Sequence, residues 1–512
     1  MTQIRKNLVT NVMCLITNVL VGLLYTPYLV RELGVATYGV LPIALVINQY
    51  IIILTDSLQS SVTRFYSVEY RQKNYRQASV YFTSAIAITI LLAIIVVPFI
   101  CCFLPQIETL LHIPDNLVHS VGQLIAYTVA SLFVAVCSNC INITIYSDNR
   151  LDLINYLKIL RNLTKLIFNI VLFSFLSTDV ANVGLSALLA ELLVLVVSII
   201  FYKTTKSGEI KFGRRFVDFR AMKPIVKMLT WVSLISFSSV FIYKIDAILT
   251  NNYFGLYYTG VLGSISEFGS YCISITAVIG VLFRPLMLIA YSDKRHEDLV
   301  QITVNGAYII GLVSGLLCGI VMGISTSLLR VWLNDEIAQY SSWMIIKLLI
   351  IPITSFGATI SVVNSLWNNV KSCAIWSLLI AVVYMSVVLV LLELGIDMTV
   401  FLIMGVIAAI LQGAILHISI YKKTYPESTK LVYIQLAKSC LYFMMVFGVS
   451  IVIDLLIRAN NLYMLFLEIC LSIVIGLVLS VPFYSKQNIN MLDNIFPIKS
   501  ILNKIHIIKS VE

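Results

Sequence analysis

Eight ionisable side chains lie inside apolar runs, where water does not reach them: Asp56, Lys165, Glu191, Lys244, Asp246, Glu267, Lys347 and Glu468. At the middle of a membrane helix a charge costs at least about 2.5–3.5 kcal/mol. Each therefore needs a partner of opposite sign or a water-filled cavity, where it can bind an ionic cargo or pass a coupling cation. At 1.5 Å per helical residue, Lys244 lies about 10 Å and Glu267 about 14 Å below the outer ends of two neighbouring antiparallel runs, so the two can pair. Asp246 is shallower, about 7 Å in, and faces a different side of its helix from Lys244. Lys347 reaches a similar depth and can meet it. Lys165 and Glu191 can pair in the same way. Two readings stay open for these groups: charge-neutral pairs that hold helices together, or the lining of a cavity. Arg64 and Arg284 end two apolar runs on the inner side. They either snorkel to the interface or present two guanidinium forks that suit a phosphate. Arg161, one turn before Lys165, extends a cationic face.

Other chemistry is sparse. His112, His119, His296, His417 and His506 show no metal-ligand spacing, and Cys137-x-x-Cys140 in an apolar run reads as small-residue packing. No nucleotide-binding glycine loop with its lysine occurs. The longest outer loops, about 105–118 and 327–340, are too short to carry an active site. No metal, no cofactor and no enzymatic activity are expected.

These residues sit in a chain of 512, of which 59% is hydrophobic and 12% charged, with a mean hydropathy of +0.95. Soluble chains average about 45–50% apolar and about 25% charged, so soluble and disordered classes are excluded. The apolar residues come in unbroken runs, which excludes a membrane barrel. The expectation is an all-α polytopic membrane protein. About 14 transmembrane helices are expected, near 7–30, 38–62, 79–104, 119–145, 158–176, 181–202, 224–250, 258–283, 301–326, 341–367, 372–392, 398–420, 435–455 and 462–482. On this map 28 of the 35 lysines and arginines fall on one side, and only Arg31, Arg330 and Arg458 on the other. The positive side is cytoplasmic, so both termini are expected there. The net charge of +10 is thus a topology signal, and no nucleic-acid role is expected. Trp231, Trp332, Trp343, Trp367 and Trp376 fall near the ends of runs, at the level tryptophan prefers.

The chain repeats itself. Gly34-x4-Gly39-Val40-Leu41 recurs as Gly255-x4-Gly260-Val261-Leu262, 221 residues later, and each following run ends at an arginine, Arg64 or Arg284. Six spans separate the copies, an even number, so both keep the same orientation. Two six-helix bundles related by an axis along the membrane normal are expected, a transporter architecture. The expected partition is a first bundle 1–202, a basic cytoplasmic linker 203–223, a second bundle 224–420, two extra spans in 421–482 and a cytoplasmic tail 483–512.

The turn Leu33–Leu41, the stretch Thr55-Asp56-Ser57-Leu58 through Arg64-Phe65, and Asp246 followed by Gly255 and Gly260 resemble the polysaccharide transporter family. That family holds the O-antigen and capsule repeat-unit flippases, in one superfamily (MOP) with MATE drug exporters and the lipid II flippase. The family often has a glycine after the acidic residue of span two, where this chain has Ser57. The resemblance implies a V-shaped, two-bundle protein working by ion-coupled alternating access, with H+ or Na+ as the coupling ion. The implied cargo is an undecaprenyl-pyrophosphate-linked oligosaccharide repeat unit, moved from the inner to the outer leaflet of a bacterial cytoplasmic membrane. Arg64, Arg284, Lys165 and Lys244 would then meet the pyrophosphate. Asp56, Glu191, Asp246 and Glu267 would be cavity or ion-coupling acids. Asn11, Asn18, Asn48, Gln49, Gln59 and Asn142 are candidate sugar contacts. Implied partners are membrane lipid and the polysaccharide polymerase and chain-length machinery. Two alternatives compete: a MATE-like exporter of cationic drugs, which needs an acid-rich cavity, and a membrane O-antigen polymerase, which needs a large outer loop.

Overall fold

Backbone amides in hydrocarbon have no water to bond, and a helix satisfies them within one segment. A computed structural model of the chain describes residues 3–46, 73–103, 113–147, 150–204, 218–367 and 369–483, with positions 49, 53, 66, 69, 70, 213 and 216. Among the described residues there is no strand, and 11 helices are long and apolar enough to cross a membrane. Two further expected spans coincide with helices 75–103 and 151–175; the latter carries Lys158, Arg161 and Lys165. The expected span 38–62 lies largely outside the described residues. Polar caps start several helices where the chain leaves the apolar layer. Asn334 accepts from the Ile337 N–H at 2.8 Å and Asn461 from the Met464 N–H at 2.9 Å. The Asp397 carboxylate accepts from the Thr399 N–H at 3.1 Å, and hydrogen bonds from Thr399 hold its pKa below the ordinary range.

The chain forms two compact units, Met1–Ser264 and Ile265–Glu512. The first holds α1 (Gln3–Leu33), α2 (Val35–Tyr38), α3 (Tyr75–Phe103), α4 (Asp115–Ser147), α5 (Leu151–Phe175), α6 (Val180–Thr204), α7 (Phe219–Tyr243), α8 (Asp246–Phe254) and the first turns of α9 (Leu256–Ser292). α4 and α6 approach closely: a Cβ on Gly184 would lie 2.9 Å from the Leu124 carbonyl oxygen. α7 joins this unit by burying Ile225 in a cluster with Tyr66, Ala78 and Phe82.

The second unit takes the rest of α9, then α10 (His296–Gly323), α11 (Ser325–Trp332), α12 (Asp335–Ala338), α13 (Ser341–Leu366) and α14 (Val370–Glu393). It ends with α15 (Met398–Ile410), a π-turn (Leu411–Leu416), α16 (His417–Thr424), α17 (Thr429–Ile457) and α18 (Leu462–Ser480). α10 is buried along most of its length. Its glycines let α17 come close: Cβ atoms on Gly311, Gly315, Gly319 and Gly323 would meet Ser439, Phe443, Val446 and Ser450 in turn. The register advances evenly, so the two helices run parallel, as odd-numbered spans must. Small residues allow such contact where lipid gives no hydrophobic drive between helices. α18 is tied to α17 by the Tyr442 hydroxyl, which donates to the Gly476 carbonyl at 2.9 Å.

Gly323 tests this packing by sign. Glycine to alanine within a helix normally stabilises by about 1 kcal/mol. A Cβ on Gly323 would lie 2.3 Å from the Ser450 Cβ and 3.0 Å from backbone atoms of α17, and overpacking costs about 1–3 kcal/mol. Gly323→Ala is expected to lower the thermal midpoint of the purified protein. Gly448→Ala, on the open side of α17, is expected to leave it unchanged or raise it.

Candidate functional site

The first unit carries a polar seam between α1 and α5. The Gln3 side-chain amide donates to Asp152 at 2.7 Å, the Asp152 N–H donates to the Asn7 side-chain oxygen at 3.0 Å, and the Asn155 amide donates to the Thr10 hydroxyl at 3.2 Å. Deeper in, the Asn162 amide donates to the Asn18 side-chain oxygen at 3.1 Å. The last three pairs are separated by 144 or 145 residues, so α1 and α5 run parallel in one register. Above them the Lys165 ammonium stands 5.3 Å from the centroid of the Tyr25 ring, a cation–π contact.

Glu191, buried on α6, closes the seam from the side. Arg161 donates to its carboxylate at 3.1 Å. The sequence expectation set Glu191 against Lys165; Arg161, one turn away, also stands there and donates to it. The two bases are one turn apart on the same face of α5, and depth alone does not choose between them. The deep end of the seam thus holds two cations, Arg161 and Lys165, beside Glu191, while Asp152 at its other end is paired with Arg150.

The repeated turns meet each other. Gly34 and Gly255 both take positive φ, 77° and 97°, a backbone open to glycine at little cost. Each precedes a helix whose next glycine touches the other copy. A Cβ on Gly39 would lie 2.2 Å from the Leu256 carbonyl oxygen, and one on Gly260 would lie 2.1 Å from the Val35 carbonyl oxygen. Leu256 and Gly260 are the repeat counterparts of Val35 and Gly39. Farther along, Gly263 faces Pro42, its own counterpart, with a Cβ-to-Cγ distance of 2.2 Å. A contact in which each residue meets the equivalent of its partner is isologous, as at a two-fold axis. All of it lies within the first unit. The helices that follow the two turns run parallel here, which fits an axis along the membrane normal.

Span seven is broken. α7 ends at Tyr243, Lys244 and Ile245 form a turn, and α8 restarts at Asp246. The expected span 224–250 is therefore two helices. Neither proline nor glycine stands at the break, which falls between the two charged residues. Asp246 is buried at the start of α8, and its carboxylate accepts from the Ala247 N–H at 3.0 Å. Discontinuous membrane helices recur where transporters build sites.

The remaining expected residues fall in both units. Asp56, Arg64, Asn48 and Gln59 lie outside the described residues. Arg284 is exposed on α9, with no acidic partner among the described residues. Glu267 and Lys347, both in the second unit, are half-buried. Glu468 is a structural group: its carboxylate accepts from the Ala459 N–H at 2.8 Å and holds the turn before α18. Asn142 is buried, and Asn11 and Gln49 are half-buried.

Sequence reasoning missed a polar patch on the second unit. The π-turn at Leu411–Leu416 brings Gly413 against α13, where a Cβ on Gly357 would lie 2.2 Å from the Gly413 carbonyl oxygen. The Asn364 amide donates to the His417 carbonyl at 3.0 Å. Asn364 Oδ1, Gln412 Nε2 and His417 Nδ1 are buried without a partner among the described residues. Single π-turns inside α-helices gather at functional places. The one available signal was Gln412-Gly413 inside an apolar run.

Against known proteins, the family model described as polysaccharide biosynthesis protein matches residues 4–287. An uncharacterised membrane protein of Bacillus subtilis, EpsK, is 22% identical over 377 residues, covering 74% of each chain. Among solved structures, the lipid II flippase MurJ in an inward closed conformation matches with a TM-score of 0.64 and 14% identity, over 93% of this chain and 98% of that one. The MATE multidrug transporter DinF-BH matches with a TM-score of 0.68 and 13% identity, over 84% and 96%. At these identities the structures show a shared fold.

The Arg161–Glu191 pair generates a test. Removing one partner of a fully buried pair costs about 3–5 kcal/mol, because the other charge is left uncompensated; Arg161 is half-buried, so the cost here is smaller. Arg161→Ala and Glu191→Ala are each expected to lower the yield and thermal midpoint of the membrane protein. The double variant is expected to recover part of that loss. Strictly additive losses in the thermal scan would show that the two do not act as a pair.

Proposed function

The chain belongs to the polysaccharide biosynthesis protein family, and on that premise we propose that it is a flippase for polysaccharide precursors. Its cargo in this reading is an undecaprenyl-pyrophosphate-linked oligosaccharide, carried from the inner to the outer leaflet of a bacterial cytoplasmic membrane with both termini inside. The observation that carries the proposal is the charge at the deep end of the seam in the first unit, where Arg161 and Lys165 stand beside Glu191. Such a surplus suits a pyrophosphate and disfavours a cationic drug. The fold shared with MurJ and with MATE transporters supports transport rather than catalysis.

In this proposal Lys165, Lys244, Arg64 and Arg284 draw in the pyrophosphate, and the polar side chains of the seam meet sugar hydroxyls. Asp56, Glu191, Asp246 and Glu267 serve as cavity or coupling acids, with a proton or sodium gradient as the energy source. Polymerase and chain-length proteins would take the product. The boundaries 1–202, 203–223, 224–420, 421–482 and 483–512 describe the repeat units in this scheme. The contact between the Gly39 and Gly260 helices is the outer gate, which has to part when cargo leaves.

Two tests follow, both read as surface polysaccharide in a flippase-deficient cell with the membrane level of each variant checked. Lys165→Glu reverses the seam's surplus and is expected to abolish complementation. Arg284→Ala is expected to reduce it severely and Arg284→Lys partly, since lysine keeps the charge but loses the fork. Wild-type polysaccharide from normally expressed Lys165→Glu would remove the seam from the transport path. Cation resistance conferred by the wild-type chain, with no polysaccharide, would favour the drug exporter.

The gate has its own test. A side chain at Gly39 or Gly260 holds the two backbones apart. Gly39→Val and Gly260→Val are each expected to lower complementation at least tenfold, roughly the effect of 1.4 kcal/mol on the closed state. Gly122→Val, in open space on α4, is expected to be tolerated.

A further inference from the structure

We propose that the turn joining α16 to α17 is a binding site for the headgroup of an anionic phospholipid, distinct from any transported cargo. A shallow cavity of about 490 Å³ lies there, with Lys422, Thr429, Lys430, Tyr433 and Ile434 in its wall. The two lysines are exposed, and neither has an acidic partner among the described residues. Lys423 and Lys438 lie in the same stretch, and Glu427 is the sole acid between them. The local balance is therefore positive, on the side that the basic-residue asymmetry assigns to the cytoplasm. Two lysines without counter-charges, around a cavity of this size, call for an anion.

The cavity's continuation says which anion. From Lys430 the same face of α17 runs through Ile434, Ala437, Leu441, Met444 and Gly448, all exposed. These positions recur at helical spacing, so they form one stripe. From Lys430 to Met444 the stripe is about 21 Å long, enough to start at the headgroups and cross one leaflet's acyl region of about 15 Å. A free phosphate would use the lysines and ignore this stripe. A phospholipid uses both: phosphodiester on Lys422 and Lys430, the Tyr433 ring at the interface, and an acyl chain along α17. Basic pockets at the cytoplasmic ends of membrane helices take such headgroups. α17 packs along α10, the buried helix of the second unit, so a lipid held here bears on that unit's core. The inference does not depend on the transport reading.

The full-length protein, purified in detergent, is mixed with equimolar phosphatidylglycerol and phosphatidylethanolamine, and retained lipid is counted by native mass spectrometry. The wild type is expected to retain phosphatidylglycerol in preference. Lys422→Glu/Lys430→Glu is expected to lose that preference by at least about tenfold, since each lysine near an anionic surface contributes roughly a factor of five. Lys203→Glu, a surface lysine of α6, is expected to keep it. If charge reversal prevents purification, Lys422→Gln/Lys430→Gln takes its place, with the same expected loss. The proposal falls if the wild type retains both lipids equally, or if a folded double variant keeps the preference. It also falls if inorganic phosphate displaces the phosphatidylglycerol, which would make this a small-anion site. Preferential retention of undecaprenyl pyrophosphate would likewise overturn it and assign the pocket to the cargo.

Discussion

The architecture of the first unit turns on one close contact, between the backbones of two glycine-bearing helices. Lipid offers no hydrophobic reward for bringing helices together, so the attraction has to come from atoms in van der Waals contact. At Gly39 and Gly260 the absent Cβ atoms are what permits it, since either one would stand about 2 Å from a carbonyl oxygen of the other repeat. The positive-φ glycines one turn earlier, Gly34 and Gly255, aim both helices at this point. An isologous contact also explains why the sequence repeats there: each copy is one half of the same surface.

Polarity inside the membrane follows a second rule, that a buried polar group without a partner is costly. Asn7, Thr10 and Asn18 on α1 find theirs on α5 in one register, which fixes the two helices against sliding. Arg161 and Glu191 do the same between α5 and α6. A pair of this kind adds little stability over a well-packed apolar contact, but losing half of it is costly. It therefore specifies the arrangement of helices more than it strengthens it.

Much of this was legible in the residues. Apolar runs define the helices and the Gly-x4-Gly-Val-Leu repeat marks the isologous contact, because each is set by the bilayer or by backbone sterics. What depth did not reveal was the part of Arg161. It shares a face of α5 with Lys165, and reckoning by depth does not show that it donates to Glu191. The break at Lys244–Ile245 has no proline or glycine to announce it, and the π-turn at Leu411–Leu416 is a one-residue change in hydrogen-bonding that hydropathy does not register. The glycines of α10 were in plain view at near-constant spacing, but their meaning depends on α17, more than 100 residues downstream.

The seam's charge connects this packing to the proposed transport. Arg161 donates to Glu191, and Lys165 stands over the aromatic face of Tyr25. A cation held this way is costly in hydrocarbon and cheap beside an anion, so its energy depends on what occupies the space around it. That dependence is what a carrier of charged cargo requires, because a site whose charges were all neutralised would bind an anion no better than it binds water. The family match spans residues 4–287, which contain both the seam and the two glycine turns. The parts of the chain that hold a cation inside the membrane and the parts that let the helices touch thus fall in the same region.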